Sequence, residues 1–335
     1  MKGTITLNHG SGFSMTHELI STVFAKTFAM DVPLTDSAVI DGNGYKLAFT
    51  TDSYVIDPVF FPGGNIGKLS ICGTVNDLAV SGAVPGYISA SVIIEEGFSA
   101  DDLYTVACSM AVEAQKARVK IVTGDTKVVD KGKCDKIFIT TSGVGFLEHR
   151  FAKIGSAKMV VPGDVLIING PVGNHAVAVL GARNNLNFSS PVLSDCTSLN
   201  GLIQHLLKEC GGVHFMRDLT RGGLAVVVNE LVAMTGMEIL LEESSIPVDT
   251  PVRGLCEILG FDPLYLANEG KVLFVVNRDE SDKALEILRK EPEGKQACVI
   301  GEIASGNGNR AILRTEPGGR RILDMPSGLQ LPRIC

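Results

Sequence analysis

No CxxC pair and no HExxH motif occurs in this sequence, and each absence removes a class of protein. The eight cysteines (Cys72, Cys108, Cys134, Cys196, Cys210, Cys256, Cys298 and Cys335) are scattered singly. That spacing excludes a disulfide framework and a structural zinc site, so most read as small core hydrophobes. The six histidines also fall one at a time and read as ordinary polar or core residues, with His9 alone in a glycine-rich setting. A basic surplus is missing too. At a formal net charge of -7 the chain has no face for tracking nucleic acid or anionic lipid. Any phosphate must then be handled locally, by metal ions and backbone amides. The opening "MKGTITLNHGSG" lacks a basic segment followed by a long apolar run, and no stretch reaches the length of a membrane span. The expectation is a cytoplasmic protein with neither membrane nor nucleic-acid partner.

What is present is enough apolar material for two cores. Hydrophobic residues make up 45% and charged residues 20% of 335, which excludes disorder and exceeds what one core usually serves. Thr16 to Met30 reads as an amphipathic helix, and "YKLAFTTD" as a strand ending on Asp52. In the segment from Pro62 to Gly86, Ile71, Val75, Leu78 and Gly82 recur at helical spacing. Asn76 and Asp77 fall off that stripe and are expected away from the core. "YISASVIIEE", "VKIVTGD" and "KIFITTSGVGF" read as strands, with a helix from Leu103 to Lys116. Around Phe151 to Gly163 the chain turns short and polar, the best place for a domain boundary. Beyond it lie the strand "DVLIING", a helix from about Asn174, and helices at Leu199 to Cys210 and in "GGLAVVVNELVAMTG". The last of these is apolar nearly all round and therefore buried. "KVLFVVN" and "QACVIGEI" are strands, and no fixed-period repeat is visible. Strands and helices interleave without a regular βαβ rhythm, so the fold class is α+β in two domains.

Four acids stand out. Asp52, Asp77, Asp125 and Asp218 each sit beside glycine or at the end of an apolar segment, in "TTDSYVID", "TVNDLAVSG", "VTGDTKVV" and "MRDLTRGG". Carboxylates converging at the rim of a sheet repel one another unless a cation intervenes, and Mg²⁺ bridged to phosphates is the obvious one. Taken singly, each Asp fits a turn or cap equally well. "PGGNIGKLS" fails as a P-loop, because Pro62 replaces the first glycine and Leu69 the Ser or Thr that holds Mg²⁺. "GSGFSM" breaks GxGxxG at Met15. A looser arrangement remains, in which glycine backbones with Lys68, Arg221 and Thr126 surround a triphosphate.

"HGSG", the segment from Thr50 to Ala83, "IVTGDTKVV", "RDLTRGG", "ANEGK" and "PRIC" follow one another in an order that resembles the carbamoyl dehydratase HypE family of nickel–iron hydrogenase maturation. The resemblance covers essentially the whole chain. It implies kinship with aminoimidazole ribonucleotide synthetase, selenophosphate synthetase and thiamine-monophosphate kinase. The fold it implies is two-domain and PurM-like: an N-terminal ATP-binding α/β domain with a dimer-forming sheet over 1–155, a C-terminal α/β domain over 156–325, and a flexible tail over 326–335. It also implies that Asp36, Asp52, Asp77, Asp125 and Asp218 hold Mg²⁺ and the ATP phosphates, with Thr51, Lys68, Asn76, Gly124, Thr126, Arg221, Gly222 and Gly223 at the nucleotide. Relatives often show two adjacent acids where this chain has Thr35 before Asp36.

In that family the terminal cysteine carries the substrate, here Cys335. The resemblance implies that the carbamoyltransferase HypF loads a carbamoyl group on it, that ATP-driven dehydration yields a thiocyanate, and that a complex of HypC and HypD accepts the cyanide for iron. An amide oxygen is a poor leaving group, so its phosphorylation and loss, with removal of the N–H protons, leaves a nitrile. Lys127 and Glu269 match the family's proton-handling residues. The tail "PSGLQLPRIC" carries two prolines and a glycine, so it reads as extended, and its ten residues span roughly 33 Å at full stretch. Arg333 favours the thiolate of Cys335, while the terminal carboxylate opposes it. Two other classes stay open. One is an ATP-dependent kinase or synthetase for a free small molecule, although "HGSGFSM" lacks the cysteine that selenophosphate synthetase uses. The other is a non-catalytic maturation scaffold with Cys335 as a lone metal ligand, a poor site for want of soft partners.

Overall fold

Alternation of apolar and polar residues from Ala38 to Leu147 produces one antiparallel-dominated sheet in a computed structural model that describes residues 4–30, 34–42, 44–183, 192–306 and 308–326. Its strands are β1 (Ala38–Asp41), β2 (Lys46–Tyr54), β5 (Val84–Glu95), β6 (Lys120–Val129) and β7 (Ile137–Leu147), in the order β1-β2-β7-β5-β6. The short hairpin β3 (Phe60–Phe61) and β4 (Gly64–Asn65) leads into the first long helix. On β2 the side chains of Ala48, Thr50 and Tyr54 are buried while Phe49, Thr51 and Ser53 are exposed, as a period of two requires.

Helix α1 (Ser14–Leu19) runs through a π-type turn over Ile20–Ala25 into α2 (Lys26–Phe28). The helix expected over Thr16 to Met30 is therefore present but irregular. Its apolar residues Val23, Phe24, Phe28 and Met30 stay exposed, so the amphipathic stripe is not buried against this chain. Helix α3 (Ile66–Val80) starts where the Asn65 side chain accepts the amides of Gly67 and Lys68, a side-chain N-cap. Helix α4 (Ala100–Lys116) packs beside it, and contact is close at Gly67, where any Cβ would collide with the carbonyl of Val106. The one-sided reading of α3 fails: thirteen of its fifteen residues are buried, Asn76 among them, and Asp77 is half-buried. A helix held between two layers has no solvent face for a stripe to mark.

The second half builds a seven-stranded sheet of β8 (Val165–Ile168), β9 (Val213–Asp218), β10 (Ile239–Glu242), β11 (Val272–Val276), β12 (Cys298–Ile303), β13 (Ala311–Arg314) and β14 (Arg320–Leu323). The order is β14-β13-β10-β12-β8-β11-β9, which makes β9 an edge strand. Helices α5 (Asn174–Ala182), α6 (Asn200–Glu209), α7 (Gly223–Thr235), α8 (Thr250–Leu259) and α9 (Ser281–Lys290) cover it. As expected from its composition, most of α7 is buried. Ala79 and Val80 at the end of α3 share a core with Leu202, Ile203 and Leu206 of α6 and with Met216 of β9. The first core likewise takes in Ala176, Val177 and Leu180 of α5. The two halves are thus joined through α3.

Candidate active site

Strand β2, helix α3 and the end of β9 bring acids to the seam between the two sheets. Asp52 lies within β2, two residues short of the strand end at which the sequence places it. Its side chain shares the inner face with Thr50, whose hydroxyl lies 2.8 Å from both Asp77 Oδ2 and the carbonyl of Asp36. Ser37 Oγ donates to the carbonyl of Asp77, fixing the segment before β1 against α3. One hydroxyl carries one proton, so Thr50 donates to one of these two acceptors at a time. Burial, reinforced by Asp218, Asp36 and Asp52, pushes the Asp77 carboxyl well above the usual carboxylate range. Burial and Asp36 do the same to Asp218. Asp36 rises to about 6 through burial, against the pull of Arg217. Asp77 and Asp218 are therefore short of counter-charge, whereas Asp36 faces Arg217.

Glu269 stands in the loop before β11 and is buried. Burial, then Asp218, Asp52 and Asp195, raises its carboxyl well above the ordinary value. Its position is over-determined. Asn268 accepts the amide of Gly173 and donates to the carbonyls of Leu219 and Leu266, while the Glu269 amide donates to Asp195 Oδ1 at 3.1 Å. A side chain at Gly270 would collide with the carbonyl of Asp195, so only glycine fits there. Lys271 pairs with Asp195 at 3.2 Å. The "RGG" glycines supply backbone freedom that other residues lack. Gly222 and Gly223 take left-handed φ of 78° and 59°, and a Cβ on Gly223 would meet the carbonyl of Leu266. They lead from Asp218 into α7.

Other expected residues go elsewhere. Both amide atoms of Asn76 are used by the backbone across the seam, donating to the carbonyl of Thr197 at 3.1 Å and accepting the Leu199 amide at 2.8 Å. It clasps the domains and does not face the acids. Lys68 sits at the mouth of α3, with Nζ donating to the carbonyl of Gly63. Thr51 points to the outer face of the sheet, where it accepts from Ser142. Asp125 and Lys127 project from that same outer face. Asp125 pairs across the sheet with Ser91, Thr140 and Ser53, whereas Asp52 shares its row with Thr141, Ala90 and Gly124. Three strand spacings, roughly 14 Å, separate Asp52 from Gly124. Lys127 binds Asp125 at 2.7 Å and holds its carboxyl below the usual range, and both are exposed. Within one chain, then, Gly124, Asp125, Thr126 and Lys127 do not join the cluster, and Lys127 does not approach Glu269. Arg221 is exposed beside the N-terminal loop, where Gly12 packs on its side chain. Cys335 lies outside the described residues.

The donors suit Mg²⁺. Their oxygens are hard, and those of Asp77 and Asp218 are under-neutralised, which are donors Mg²⁺ takes alongside phosphate oxygens and water. Sequence reasoning misses three residues that shape the site, Asp195, Arg217 and Asn268. Only Arg217 carries a signal, its place directly before Asp218.

Residues 34–147 match the N-terminal and 161–314 the C-terminal domain of the AIR synthase related proteins. The carbamoyl dehydratase HypE of Rhodobacter capsulatus is 47% identical over 99% of this chain and 98% of its own. That of Escherichia coli is 45% identical over 99% of each. A solved hydrogenase maturation protein HypE in complex with ATP superposes with a TM-score of 0.82 at 43% identity, covering 99% of this chain and 100% of that one. A HypE–HypF complex matches with a TM-score of 0.86 at 45% identity over 92% and 99%. A ThiL complexed with AMPPCP and TMP, at 18% identity and a TM-score of 0.67, shares the fold.

Proposed function

Because the chain belongs to the carbamoyl dehydratase HypE family, we propose that it binds ATP and dehydrates a carbamoyl group carried on its own Cys335 to a thiocyanate. The product supplies cyanide for hydrogenase iron. The observation that carries the reading is the convergence of Asp52 with Asp77 and Asp218, the latter two short of counter-charge, next to the buried carboxyl of Glu269. Mg²⁺, when bound, neutralises phosphate charge there. Asp52, Asp77 and Asp218 would hold it, with Thr50 and Ser37 keeping Asp77 in place. Glu269, walled in by Asn268 and Asp195, takes protons from the substrate nitrogen, and burial raises its proton affinity for that task.

The root of the tail favours delivery of cargo from Cys335. Pro326 is buried and its carbonyl accepts the Ser14 amide at 3.3 Å, next to the loop whose Gly12 touches Arg221. From there nine residues reach at most about 30 Å. Asp125 and Lys127 lie on an outer sheet face that also exposes Ile40, Phe49, Tyr87, Ile93 and Phe146. A second copy pairs on that face, and Asp125 and Lys127 act across the boundary between subunits. HypF donates the carbamoyl group and a HypC–HypD complex receives the product, in the cytoplasm. Among the described residues no helix is long and apolar enough to cross a membrane. The test is ATP turnover on carbamoylated chain with and without Mg²⁺, alongside Cys335→Ser. Turnover lost in the variant supports the carrier role, whereas turnover kept in full means that ATP acts on a free small molecule.

A further inference from the structure

Arg217 is a strong cation wedged into the acid seam. It is 8% exposed and lies on the edge strand β9, with its side chain opposite in facing to that of Asp218. Its Nε lies 3.2 Å from Asp36 Oδ2 and its Nη1 donates to Glu230 Oε2 at 2.8 Å. Glu230, on α7, also meets His17 Nε2 at 3.4 Å. Nε and Nη2 of Arg217 are both buried without a hydrogen-bond partner among the described residues, so its approach to Asp36 is a charge contact and not a hydrogen bond. One guanidinium therefore faces a carboxylate from each domain. Thr35, the residue before Asp36 in the chain, turns its hydroxyl to the carbonyl of Ser37.

We infer that Arg217 is the resident counter-ion of Asp36 and takes the place of a divalent cation there, leaving cation binding to Asp52, Asp77 and Asp218. The inference rests on the proposed cation requirement but not on turnover. A buried ion pair is costly to break on one side and close to neutral when both partners are removed together. Losing the guanidinium alone leaves Asp36 and Glu230 bare beside the other acids, and that field draws in metal. A residue of purely structural importance would not tighten metal binding when lost.

The experiment uses the full chain with Mn²⁺ as probe, reading bound metal from the loss of the free-ion electron paramagnetic resonance signal. Arg217→Gln should bind Mn²⁺ at least roughly tenfold more tightly than the unaltered chain, with Arg217→Lys close to it. The double variant Asp36→Asn with Arg217→Gln removes a neutral pair and should stay within about threefold of the unaltered chain. It also decides the matter if the single variant fails to fold. Unchanged or weaker binding in Arg217→Gln, or a tenfold loss in the double variant, would overturn the assignment, the latter by showing that Asp36 is itself a metal ligand. Failure of the unaltered chain to hydrolyse ATP would count against the proposed function while leaving this comparison decisive.

Discussion

Asn76→Ala tests whether the seam is clasped in the way the geometry requires. The Asn76 side chain is 2% exposed and supplies two hydrogen bonds, at 3.1 and 2.8 Å, to backbone groups of Thr197 and Leu199. Truncation leaves the Thr197 carbonyl and the Leu199 amide without these bonds in a buried place. Each orphaned group costs about 1–3 kcal/mol, so the loss should be about 3 kcal/mol and at most about 6. Unfolding entropy of about 2 cal/mol/K per residue gives roughly 0.7 kcal/mol/K for a chain of this length. The melting midpoint should fall by about 4 °C, and by no more than about 9 °C. Affinity for ATP should stay within about threefold, because the side chain is engaged with the backbone at Thr197 and Leu199. Differential scanning calorimetry and nucleotide titration read both quantities. A midpoint unmoved while ATP affinity drops tenfold or more would refute the reasoning and return Asn76 to the nucleotide.

Three further outcomes follow from the same geometry. Glu269→Gln keeps shape and hydrogen-bonding length but cannot take a proton, so dehydration should slow by about 10²–10⁴-fold with ATP binding retained, and a rate within threefold of normal would exclude Glu269 as the base. His175 is fully buried, with Nδ1 2.8 Å from Ser194 Oγ, and burial holds its imidazole down to about 4 against the pull of Asp195. Its folded pKa is depressed, so the unfolded chain binds the extra proton between about pH 6.5 and 4 and stability falls as pH drops through that window, by up to about 3 kcal/mol. Urea unfolding should show that slope flattened in His175→Gln, and an identical slope in both would place the acid sensitivity elsewhere. Phe49→Glu, on the outer sheet face, should shift the chain to a monomer by sedimentation velocity while sparing the fold, and an unchanged dimer would put the subunit boundary on another surface.

Most elements are legible from periodicity because they bury one face, as β2, β7 and α6 do. Helix α3 misleads for the opposite reason. It is enclosed on both sides, so the stripe through Ile71, Val75 and Leu78 does not mark a solvent side, and Asn76 is as buried as its neighbours. At the site, Asp52, Asp77 and Asp218 can be picked out as acids among glycines and apolar runs, since carboxylates are rare at such places unless something there needs their charge. Asp125 and Lys127 look the same in sequence, yet strand parity turns them to the opposite face from Asp52. Arg217 escapes notice although it adjoins Asp218. Adjacent strand residues face apart, and only the edge position of β9 lets its long side chain reach Asp36.

Intact-mass spectrometry of the carbamoylated chain tests the central claim most directly. With ATP and Mg²⁺ the mass should fall by one water, and fragmentation should place the loss on Cys335. ATP consumed while that water stays on the chain would contradict the account.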